Sequence, residues 1–81
     1  MRTRIIVPKK ILGLKALEHF RDRMALRKIS EKDVIEVLTK REHVKRENWK
    51  DRHIISARTS RGFVSIITDQ KERKLHTCWV V

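Results

Sequence analysis

The stretch Arg52–Asp69, RHIISARTSRGFVSIITD, decides the fold. In its first half Arg52, Ile54, Ser56 and Arg58 alternate with His53, Ile55, Ala57 and Thr59. A period of two belongs to a strand, whose successive side chains point to opposite faces. Its second half, GFVSIITD, is rich in β-branched residues and reads as the best strand in the chain. The short polar connection SRG between them suits a hairpin. Working outward, KLHTCWVV closes the chain as another strand beyond DQKER, and EHVKREN alternates weakly ahead of NWKD. Residues 42–81 therefore predict an antiparallel meander of three or four strands.

Upstream the period changes to 3.6. From about residue 10 to residue 28 the pattern is helical, with Leu17, Phe20 and Met24 on one face and His19, Arg23 and Arg27 in a stripe beside it. ISEKDV then starts a second helix. Ser30 can cap it, Asp33 can reach back as a short-armed capping box, and Ile29 and Val34 fit a hydrophobic staple. Val34, Val37 and Leu38 continue a core stripe to about residue 40. RIIV, residues 4–7, reads as an extended segment stopped by Pro8. The expected plan is one α+β domain over residues 1–81: a short extended segment at 1–9, two N-terminal helices at 10–40, and a three- to four-stranded antiparallel sheet on which they pack.

With 81 residues there is one small core and no room for separate cofactor and substrate domains. Twenty-one Lys and Arg against ten Asp and Glu give a formal charge of +11, which favours an anionic partner, most often nucleic acid. A basic protein without such a partner is the plain alternative. The single cysteine, Cys78, excludes an internal disulfide and a zinc site built on cysteine pairs. Four scattered histidines offer no metal-ligand spacing, so neither metal nor cofactor is expected. No apolar run is long enough to cross a membrane, and no cleavable leader is evident, so the expected location is cytoplasmic.

Chemistry-bearing residues in this pattern suit RNA cleavage without metal. His19 and His76 can serve as base and acid near neutral pH, and Arg58 can neutralise the developing phosphorane charge. Arg23, Arg27 and Arg52, with Lys45 and Arg46 as diffuse electrostatic contacts, would bind the phosphates. Each has a duller reading as well. Arg23 and Arg27 can pair with Asp22, Glu31 or Asp33; Cys78 is a small core hydrophobe; Trp49 and Trp79 can stack bases, although hairpin or core packing is commoner for tryptophan. Composition and spacing alone reach a small basic α+β domain and stop short of catalysis.

The run His19, Arg23, Met24, Arg27, Ile29, Ser30, Asp33, Val34 resembles the H-x-x-x-R-M-x-x-R-x-I-S-x-x-D-V pattern of a family of small proteins of unassigned function. That family is similar to an outlying branch of the RelE/ParE-type toxins, themselves similar to barnase-like ribonucleases. The resemblance spans about residues 14 to 80 and implies a RelE-like fold. It also implies an RNA-directed role: a toxin-like, metal-independent endoribonuclease acting on messenger RNA, on the ribosome or free, with an acidic antitoxin as partner. The chain holds no tyrosine, a frequent C-terminal active-site residue of such toxins, and His76 is the residue expected to move the proton in its stead. Two other roles stay open on the same scaffold: a non-catalytic nucleic-acid-binding module, and a homodimer joined through an edge strand such as RIIV or WVV.

Overall fold

The computed structural model describes residues 9–47 and 51–81. RIIV and Trp49 lie outside the described residues. The chain runs β1 (Lys10–Ile11), β2 (Leu14–Ala16), α1 (Glu18–Arg27), α2 (Glu31–Lys40), β3 (His43–Glu47), β4 (Arg52–Thr59), β5 (Gly62–Asp69) and β6 (Lys74–Val80). The strands form a single sheet in the order β1-β2-β6-β5-β4-β3.

This corrects the expected sheet of three or four antiparallel strands. Six strands are present among the described residues, and β2 pairs with β6 in parallel. The additional strands come from residues 10–16, expected as the first turns of a helix. The spacing of Ile11 and Leu14 fits a helix, yet it also fits a two-residue hairpin. Leu12 (φ 49°) and Gly13 (φ 79°) both take positive φ, the geometry that matches the twist of paired strands. Leu17 remains extended and donates its N–H to the Leu75 carbonyl at 3.2 Å, so α1 cannot begin before Glu18. Ile11 and Ala16 are buried by this ribbon.

The α1–α2 junction is short and tightly specified. Lys28 turns left-handed (φ 55°), and the Ile29 N–H donates to the Met24 carbonyl at 2.9 Å, satisfying a carbonyl at the end of α1. Ser30 Oγ accepts from the Asp33 N–H at 3.1 Å while Asp33 Oδ2 accepts from the Ser30 N–H at 3.0 Å. That is the capping box read from ISEKDV.

Both helices lie on one sheet face. Phe20 and Met24 of α1 and Val34 and Val37 of α2 pack with Ile55, Ala57, Val64, Ile66, Leu75 and Cys78, all fully buried. α1 runs beside β6, and α2 lies across β4 and β5. One bulge sets the pattern of β6. Thr68 faces Leu75 but Ile67 faces Thr77, so His76 is an extra residue in the ladder. Strict alternation would have grouped His76 with Cys78 and Val80. The bulge instead turns Leu75 inward with Cys78 and leaves His76 on the opposite face with Thr77 and Trp79.

Candidate nucleic-acid interface

The helices cover one face of the sheet, and no described element covers the other. Its side chains follow from register. One row runs Lys45, Ile54, Ile67, Thr77, and the next runs His43, Ser56, Ser65, Trp79. Arg58 stands opposite Phe63 at one end, and Arg52 opposite Asp69 at the other. The hydroxyls of Ser56 and Ser65 lie 2.8 Å apart and are buried despite the missing helix layer. One hydroxyl donates to the other, so each oxygen of the pair has a partner. Ile54, Phe63, Ile67 and Trp79 are half-buried and make an apolar centre. His43 packs edge-on to Phe63, with ring centroids 5.7 Å apart.

Cations surround that centre. Arg58 and Lys45 are exposed and Arg52 is partly so. The backbone of Arg58 is pinned on both sides, its N–H donating to Glu42 and its carbonyl accepting from Lys40 Nζ at 2.9 Å, while the guanidinium stays at the surface. The Asp69 carboxylate is turned to structure. Burial pushes it upward, but the backbone N–H groups of Lys74 (2.8 Å) and Arg73 (2.6 Å) outweigh that and hold it below the usual carboxylate range. His76 sits beside Arg52 and Asp69. Burial lowers it from the ordinary imidazole value, Arg52 and Lys74 push the same way, and Asp69 opposes them.

Of the residues singled out in the sequence, Lys45, Arg52, Arg58 and His76 therefore share this face. His19, Arg23 and Arg27 are placed elsewhere, along α1 beside β6. Arg23 Nε is 3.4 Å from His19 Nε2, and Arg27 donates to the Cys78 carbonyl at 2.9 Å, occupying an acceptor on the edge of β6. β5 and β6 stand between Arg58 and this stripe, a spread of about 10 Å at the usual strand spacing. Arg46 is opposite His53 in register and points to the helix side. Cys78 is buried, and burial raises its thiol to about 12 despite the nearby charges of Arg27 and Arg23, so it is no nucleophile at neutral pH.

Two other polar features are structural. Arg41 grips Glu72 with two hydrogen bonds of 2.6 and 2.9 Å, and Glu72 also meets His53 Nδ1 at 3.2 Å, tying the end of α2 to the β5–β6 turn. A cavity of about 460 Å³ at the start of α2 is lined by Ser30, Lys32, Asp33, Glu36, Ser60 and Arg61. Its charges oppose one another, with Arg61 Nε 3.8 Å from an Asp33 carboxylate already used as the helix cap.

Phe63 and His43 escaped the sequence reading as members of the face. The register of the hairpins reveals them, together with the period of two that places Arg58 opposite Phe63. Among the described residues no three His, Cys, Asp or Glu side chains gather as metal ligands, and no helix is long and apolar enough to cross a membrane. Comparison of the chain with protein-family models, curated proteins and solved structures finds no match.

Proposed function

We propose that the helix-free face of the sheet binds nucleic acid, with RNA as the expected ligand. The supporting observation is the placement of Lys45, Arg52 and Arg58 around an apolar and aromatic centre on a face that the helices leave uncovered. The formal charge of +11 adds long-range attraction for a polyanion. Cations of this kind displace condensed counterions from phosphates, so binding must weaken steeply with salt. Titrating labelled RNA across a salt series tests the reading. Arg52→Ala and Arg58→Ala should each lower affinity and reduce the salt slope by about one unit per lost phosphate contact. Salt-independent binding, or unchanged binding by the double variant, would refute it.

A second reading, cleavage of the bound RNA, is favoured by His76. Held below its ordinary value beside Arg52, its imidazole is a proton acceptor at neutral pH. It would take the proton of a ribose 2′-OH as the O2′–P bond forms and the P–O5′ bond breaks, the leaving oxygen drawing a proton from the imidazolium or water. RNA incubated in EDTA should then end in a 2′,3′-cyclic phosphate, with cutting abolished in His76→Gln. Intact RNA under these conditions rejects cleavage and leaves binding untouched.

A further inference from the structure

Charge explains why an anion would approach this face but not why its centre is apolar. Ile54, Ile67, Phe63 and Trp79 form one continuous half-buried patch, with Ser65 between Phe63 and Ile67 along β5 and Trp79 opposite that serine. Three occupants fit such a patch differently. A second copy would bring Lys45, Arg52 and Arg58 against the same cations, and two chains of +11 repel. Duplex nucleic acid presents phosphates and groove edges and keeps its base faces stacked inside, so it would satisfy the cations and leave Trp79 and Phe63 without contact. A single strand offers both surfaces at once: phosphates for the rim and unstacked bases for the aromatic centre.

We infer that the face takes single-stranded RNA, with bases stacking on Trp79 and Phe63 while Arg52, Arg58 and Lys45 follow the phosphates. This rests on the binding proposed above and adds the class of strand. The geometry supports it in two ways. Trp79 is reached from the same side as the cations because it pairs with Ser65, in the row that runs through Ser56 to His43. The Ser56 and Ser65 hydroxyls beneath already hydrogen-bond each other at 2.8 Å, so each oxygen keeps a partner when a base lies over the pair. Stacking tolerates any base, since each has a π-face, so the predicted preference is for strandedness above sequence.

The test compares one labelled RNA oligonucleotide free and annealed to its complement, at matched salt, by fluorescence anisotropy. The full chain should prefer the single strand by on the order of tenfold or more. Trp79→Leu should erase most of that preference while duplex binding and salt slope persist, and Trp79→Phe should keep it. Phe63→Leu should act in the same direction to a smaller extent. In a Trp49→Phe background, quenching of the remaining tryptophan on addition of RNA reports stacking directly, and circular dichroism checks that each variant is folded. Equal affinity for both strand states, or no quenching, overturns the stacking inference while leaving the binding proposal in place. No binding of either RNA at low salt overturns both. Polyglutamate binding as tightly as the single strand would assign the face to an acidic peptide, and a doubling of mass without RNA would assign it to a second copy; either result overturns the inference.

Discussion

The two faces of one sheet differ although the same strands build them. On the helix side Ile55, Ala57, Val64, Ile66, Leu75 and Cys78 have no exposed surface, and even Thr68 and His53 are buried there. On the open side their chain neighbours Ile54, Ile67, Trp79 and Phe63 are only half-buried, and Arg58 reaches solvent. Alternation alone cannot produce this asymmetry, because both faces receive apolar residues. The helices produce it by delivering Phe20, Met24, Val34 and Val37 to one side only. An apolar surface that no described element covers, edged with cations, is what a ligand-binding sheet requires.

That contrast can be broken most sharply by a pair of truncations. Phe20→Ala removes a fully buried ring from the helix side and should cost about 3–5 kcal/mol. Domains of this length are held by only about 4–12 kcal/mol, so urea unfolding should shift drastically or the chain should fail to fold. Arg58→Ala on the open side should leave the unfolding free energy within about 0.5 kcal/mol, yet weaken RNA binding. If Arg58→Ala destabilised the chain comparably to Phe20→Ala, the open face would be structural and its binding role would lose its ground.

Much of the core was legible in advance because it follows from two periods. Phe20 and Met24, the staple of Ile29 and Val34, and the alternation of β4 and β5 are local patterns, whereas Leu17, read into the same stripe, stays extended ahead of α1 and outside the buried core. The hairpin at residues 10–16 was not legible in this way: Leu12 adopts positive φ, for which a leucine gives no warning, and Ile11 and Leu14 suit either period. The parallel pairing of β2 with β6 joins residues 15 and 74, a contact that no local pattern encodes. The site divides similarly. Arg52 and Arg58 share a face by simple counting, whereas Lys45 joins them through the β3–β4 register and His76 only through the bulge. The α1 stripe was visible as a stripe, but its destination, with Arg27 bound to the edge carbonyl of Cys78, depends on where β6 lies.

A smaller and more discriminating effect comes from acid, which should act in opposite directions on stability and on binding. The hydrogen bonds from Arg41 chiefly hold the Glu72 carboxyl below its ordinary value, against a burial effect that raises it, with His53 assisting. A depressed carboxyl stabilises the fold above its unfolded pKa, and that contribution disappears as pH falls through the folded value, so stability should drop below about pH 4. Glu72→Gln should flatten this drop. His76 contributes in the same sense at higher pH: its folded imidazole resists the proton that the unfolded chain accepts below about pH 6.5. Binding responds the other way. The groups facing His76 are Arg52, Asp69 and Lys74, and a phosphate placed among them would offset the two cations and favour imidazolium. RNA affinity should therefore rise from pH 8 to pH 6 while stability declines, and His76→Gln should reduce the rise. A flat affinity profile in the unmodified chain would place the phosphates away from the Arg52 end and confine the ligand to the Trp79, Phe63 and Arg58 end of the face.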